Sequence, residues 1–149
     1  MLQQLVTRLR PAGLIVFHEI DWAGLSSYPP APTYDRSCRW GMETLRQHGT
    51  EPRMGTKLHS SFVAAWLSPP AMRLEALVGG GVNSGAPLHL MAELSATLLP
   101  EMERLGVATA EEVAIETLME CMRNEVIANS SVIIGHFRIG AWSRICPAA

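Results

Sequence analysis

Apolar residues run from Leu14 to Phe17 and return at Ile20, after the polar pair His18 and Glu19. A short run that is apolar on both faces predicts a strand covered on both sides, of the kind found in parallel α/β sheets. Pro11-Ala12-Gly13 marks its start, and Asp21 and Trp22 follow at its carboxyl end. Before it, Leu2, Leu5, Val6 and Leu9 fall at helical spacing, with Arg8 and Arg10 near the end, which predicts a helix over 1–10.

The turn-forming residues Gly24, Ser26, Ser27, Pro29, Pro30 and Pro32 predict a loop from Asp21 to Thr33. Thr33 is placed to cap a helix that runs to about His48 and closes at Gly49, with Tyr34, Cys38, Trp40, Met42 and Leu45 on its inner side. After a turn at 51–55, a shorter helix turns Leu58, Phe62, Val63 and Trp66 inward and stops at Pro69-Pro70. Met72 to Val78 is the second strand, and Gly79 to Gly85 a loop. The stripe Leu88, Met91, Leu94, Leu98, Met102 and Leu105 predicts a helix from Pro87 to Leu105, broken or kinked at Pro100. Thr109-Ala110-Glu111-Glu112 has capping-box spacing and starts a helix to about Ala128 that buries Val113, Leu118, Met119, Met122 and Val126. Ser131 to Arg138 is the third strand, followed by Ile139-Gly140-Ala141-Trp142 and a loose tail. No repeat and no long linker divides the chain, so 1–149 is read as a single domain.

Composition narrows the class. The chain has 149 residues, 48% hydrophobic and 17% charged, enough for a substantial core. Its formal net charge is -2, and without a basic run a nucleic-acid footprint is not indicated. The three cysteines, Cys38, Cys121 and Cys146, are scattered and odd in number, which suits a reducing cytoplasm better than a disulfide framework. No apolar run approaches the roughly 20 residues that span a bilayer, and the start lacks signal-peptide features. The expectation is a cytoplasmic protein with neither nucleic-acid nor membrane partners.

In open α/β sheets ligands sit beyond the carboxyl ends of strands, which makes His18, Glu19, Asp21 and Trp22 the candidate substrate-binding residues. Glu19 and Asp21 are two apart and share one face of a strand. Such a pair can orient a hydroxyl or amine or act as a base; the plainer alternative is a solvated strand end with Asp21 capping a loop. His18 points the other way with Ile20, an arrangement that more often packs under a helix. His59 and His136 read as core or interface histidines, and the absence of His-Glu-x-x-His and Cys-x-x-Cys spacings speaks against a zinc site. Ser26-Ser27 and Ser130-Ser131 read as turn and capping residues. Gly79-Gly80-Gly81 with Gly85 has the wrong spacing for a phosphate cradle and reads as a connection. The methionines at 91, 102, 119 and 122 fill a core or line an adaptable apolar pocket. Among the tryptophans, which mostly anchor packing, Trp22 is the candidate pocket wall.

The segment Leu9-Arg10-Pro11-Ala12-Gly13, leading into an apolar strand that ends in Glu19, resembles the Leu-(Lys/Arg)-Pro-Gly-Gly entry to the fifth strand of class I S-adenosylmethionine-dependent methyltransferases, with Ala12 in place of one glycine. Arg53-Met54-Gly55-x-x-Leu58-His59-x-x-Phe62 looks like the helix before the sixth strand, and Met72 to Leu77 like that strand. Ser131 to Arg138 with Gly140-Ala141-Trp142 looks like the antiparallel seventh, and 87–128 like the helical insertion that some small-molecule methyltransferases place over the substrate. The resemblance covers the back half of that fold; the Gly-rich turn and the acidic residue that hold the cofactor in the family have no counterpart among these residues.

The resemblance implies a partial Rossmann-like α/β fold: a mixed three-stranded sheet, order 6-7-5, with four to five helices, completed by dimerisation. It implies a substrate-side module for methyl transfer to a small molecule, not active alone. The alternative is a non-catalytic small-molecule-binding or homodimeric interaction protein derived from that fold. The chain alone is expected to bind no cofactor; S-adenosylmethionine enters if a separate cofactor-binding chain supplies the missing half. The first expected partner is a second copy, paired through the bare edge of the strand Leu14–Ile20, and the alternative is that separate chain.

Overall fold

A computed structural model describes residues 5, 8–10 and 12–145. The helix expected over 1–10 and the tail with Cys146 fall largely or wholly outside the described residues. The elements are β1 (Leu14–Asp21), β2 (Ser26–Tyr28), α1 (Pro32–Gln47), α2 (Met54–Ala64), β3 (Ala71–Gly80), α3 (Gly85–Leu105), α4 (Ile115–Ala128) and β4 (Val132–Arg144). A single helical turn, Ala110–Val113, precedes α4.

The fold is α/β with an open four-stranded antiparallel sheet, and β4 pairs with each of β1, β2 and β3. Two expectations are corrected here: there are four strands rather than three, and the sheet is antiparallel rather than mixed. The added strand lies in the expected loop, where Ser26, Ser27 and Tyr28 face Ile134, Ile133 and Val132; the following Tyr28–Pro29 peptide is cis. β4 also continues past Arg138 to Arg144, because inward positions keep recurring at Ile139, Ala141 and Ser143.

The described chain forms two compact units. The first takes the described residues up to Asp21, Arg53–Glu75 and the described residues from Arg138 onward. Here Ile15 is buried and Phe17 half-buried, and the Phe17 ring meets Phe62 of α2 edge to face at 5.9 Å. The opposite face of β1 is bare, with Leu14 52%, Val16 57% and Ile20 43% exposed. The strand is therefore covered on one face, not two: among the described residues α2 is the one regular helix of this unit. His18, expected under a helix, lies exposed on that bare face.

The second unit, Trp22–Pro52 with Ala76–Phe137, holds α1, α3 and α4 and a core of Tyr34, Leu88, Met91, Met102, Met122 and Ile133. The helical stretch 87–128 belongs to it. α3 runs unbroken through Pro100, so the expected break is absent. The capping box at Thr109 is present with both of its bonds, Glu112 N to Thr109 Oγ1 and Thr109 N to the Glu112 carboxylate. Its helix stops after one turn, where Ala114 takes φ 47, and restarts as α4.

Each of the four helices ends in the same paired-bond motif, in which a left-handed residue turns the chain and the next N–H reaches back to the last turn. The turning residues are Gly49, Trp66, Gly106 and Ser130, and the returning bonds are Thr50 to Leu45, Leu67 to Phe62, Val107 to Met102 and Ser131 to Val126, at 2.9–3.1 Å. This corrects the inward placement of Trp66. Its φ of 62 swings the ring out to 90% exposure, and Leu67 is buried instead. Val63 is exposed as well, as is His59, against the expectation of a core or interface position.

Candidate functional site

The second unit carries a cleft of about 630 Å³ between the Trp22–Ser27 turn and the first turns of α1. Two glycines let the turn lie this close. A β-carbon on Gly41 of α1 would stand 2.2 Å from Trp22 Cζ3, and one on Gly24 would stand 2.1–2.3 Å from the Phe137 ring. Trp22 is further fixed by its N–H, which donates to Pro52 O at 2.9 Å, and by the His136 ring, perpendicular to it with centroids 4.5 Å apart. The indole is thus held from several sides while it still lines the cleft.

The polar side is built from α1. Ser27 Oγ donates to Asp35 at 2.8 and 2.9 Å and accepts from Ala31 N at 2.8 Å, which ties the loop to the start of the helix. One turn on come Cys38 and Arg39, then Met42 and Glu43. Burial pushes the Cys38 thiol up to about 12; the hydrogen bond with Tyr34 opposes this and the Asp35 charge reinforces it. Such a thiol stays protonated and is no nucleophile at neutral pH. Burial also raises Tyr34, whose hydroxyl donates to Ile134 O at 2.9 Å. Glu43, half-buried, is held below the usual carboxylate range by hydrogen bonds from Arg46 and Gln47.

Of the residues singled out in sequence, Trp22 lines this cleft; His18, Glu19 and Asp21 belong to the first unit. Asp21 is fully buried, and its Oδ2 accepts from Thr56 N at 2.9 Å in the first turn of α2, a helix with no side-chain cap of its own. Glu19 is half-buried on the same side of β1 as Asp21, and His18 is exposed on the other. The cleft residues Asp35, Cys38, Arg39, Met42 and Glu43 were missed as a site. Their positions all fall on one face of α1 at spacings of three, four and eight, a signal masked by reading Cys38 and Met42 as core.

Among the described residues no group of three His, Cys, Asp or Glu side chains is arranged to hold a metal, and no helix is long and apolar enough to cross a membrane. Gly79 and Gly80 close β3, and a β-carbon on Gly79 would stand 2.5 Å from Asn83 O. The glycine run thus serves a tight strand-to-helix turn. No family model matches the chain, and no curated protein matches it either.

Proposed function

We propose that these residues form the substrate-side portion of a methyltransferase that uses S-adenosylmethionine on a small molecule, with the cofactor-binding half supplied from outside the 149 residues. One observation carries this reading: β4 is the shared antiparallel partner of β1 and β3, which therefore run in the same direction. The resemblance calls for that relation among its fifth, sixth and seventh strands. The bare apolar face of β1 supports it from the side of packing, since a row such as Leu14, Val16 and Ile20 is a surface that another layer covers. The occupant assigned to it is the cofactor-binding half.

Calorimetric titration of S-adenosylmethionine into the chain tests the division of labour. The chain alone gives no heat and no thermal shift, whereas a bound ligand at 100 times its dissociation constant would add about 2.7 kcal/mol. Mixing in a second polypeptide that carries the Gly-rich half of this family restores binding, and Val16→Lys abolishes that restoration. Saturable binding by the chain alone overturns the division of labour. No binding in the mixture overturns the methyltransferase reading. A concentration-dependent homodimer that is lost in Val16→Lys would instead identify a second copy as the occupant and favour the interaction-protein alternative.

A further inference from the structure

The polar groups of the cleft in the second unit are unequally occupied. Glu43 is spoken for by Arg46 and Gln47. Asp35 receives the single Ser27 hydroxyl proton, shared between its oxygens, and a carboxylate can accept about four hydrogen bonds. Arg39, exposed at the rim, makes no ion pair within 4.0 Å among the described residues. Asp35 and Arg39 are four apart on α1, so they stand on one face with β-carbons roughly 5–6 Å apart. Trp22, Leu25 and Met42 supply an apolar wall beside them. An apolar wall, a carboxylate with spare acceptor sites and an unpaired guanidinium make three complementary demands on a ligand.

We infer that this cleft binds a small aromatic acid that bears a hydroxyl group. The ring lies against Trp22 and Met42, the carboxylate pairs with the Arg39 guanidinium, and the hydroxyl donates to Asp35. A guanidinium favours a carboxylate because its planar fork matches two oxygens at once. The hydroxyl suits Asp35 because an ionised carboxylate only accepts. An aromatic amine can place its cation on Asp35 but leaves the Arg39 guanidinium without a counter-charge, so it binds less tightly than the acid. The inference rests on the second unit alone and does not require the methyl-transfer reading.

The test is a titration of the full chain with 4-hydroxyphenylacetate, followed by amide and indole N–H chemical shifts, with no cofactor or partner present. Saturable shifts are expected at Trp22, Asp35 and Arg39. Phenylacetate, which lacks the hydroxyl, binds on the order of tenfold more weakly, the loss expected for one hydrogen bond to a charged group. Arg39→Gln, a change at an exposed position, weakens 4-hydroxyphenylacetate by about tenfold or more and leaves the uncharged 2-(4-hydroxyphenyl)ethanol unchanged. The inference is overturned by any of four results: no saturable shift at millimolar ligand, shifts confined to other residues, tyramine binding as tightly as the acid, or unchanged binding of the acid by Arg39→Gln. Because no cofactor enters, failure of the S-adenosylmethionine experiment leaves this result standing, and the reverse holds too.

Discussion

The Asp21 carboxylate and the Thr56 backbone N–H meet at 2.9 Å, fixing the end of β1 to the first turn of α2. α2 has no capping side chain next to it in sequence, so a carboxylate that arrives from another element satisfies one of its orphan donors and lies at the favourable end of the helix dipole. Asp21→Ala removes that acceptor from a fully buried position and is expected to lower the unfolding free energy by about 1–2 kcal/mol. Asp21→Asn, which keeps a side-chain oxygen, loses less. Denaturant midpoints at constant m-value measure both; equal stability of Asp21→Ala and the parent would show that the contact carries no weight.

Gly41 and Gly85 separate two reasons for a glycine in a helix. A β-carbon at Gly41 would meet Trp22 Cζ3 at 2.2 Å and Cη2 at 2.5 Å, whereas one at Gly85 would meet nothing within 4 Å. Gly41→Ala is expected to cost about 1–3 kcal/mol through overpacking, to displace the indole and to change the near-ultraviolet circular dichroism of Trp22. Gly85→Ala stays within about 0.5 kcal/mol of the parent, as surface changes away from special features do. Thermal unfolding of the two variants side by side gives the contrast.

The elements were legible in sequence wherever the determinants are local. The capping box at Thr109, the closing Gly49 and the apolar stripe of α3 each lie within a turn or two of what they control. Where the partner is distant in sequence, the local pattern does not reveal it. Thr33, expected to cap α1 with its own hydroxyl, instead gives its N–H and hydroxyl to the Glu125 carboxylate at 2.7 and 2.6 Å, across 92 positions of chain. Asp21 likewise reaches Thr56 across 35. The break allowed for at Pro100 is absent for another reason. The local penalty of a proline inside a helix is real, but Met91 and Met102 on either side of it are buried in the core, and that packing holds α3 continuous. The cleft escaped notice because its wall, Trp22, comes from a turn and its polar groups come from a helix face whose other members are core.

Trp66 holds φ 62 at 90% exposure, so its ring gains little from burial while its backbone carries the strain of the left-handed region. That strain is about 1–2 kcal/mol for a residue with a side chain, partly offset by the extra freedom glycine has in the unfolded chain. Trp66→Gly is therefore expected to raise stability, by up to about 1 kcal/mol, in urea unfolding. Gly49→Ala, at φ 81 in the equivalent turn of α1, moves in the opposite direction. A loss of stability in Trp66→Gly would show that the exposed ring makes a contact that matters.

Cys38 and Tyr34 set an alkaline limit on the second unit. Burial lifts the Cys38 thiol from an ordinary 9.0 to about 12 and lifts the Tyr34 hydroxyl as well. Both acids bind their protons more tightly folded than unfolded, so their contribution is fully present below the unfolded values. Between those values and the folded ones the native state holds more protons than the unfolded state, and stability falls as pH rises. The expected profile is flat with respect to these groups up to about pH 9 and declines toward pH 12, and Cys38→Ala shows a shallower decline, with Tyr34 still contributing. The same protonation makes Cys38 slow toward iodoacetamide at pH 8, while the exposed Cys121 is modified readily. Peptide-level mass spectrometry after brief labelling reads that difference directly. Equal labelling of the two thiols in the folded protein would place Cys38 outside the sheltered position that Tyr34, Asp35 and α1 give it.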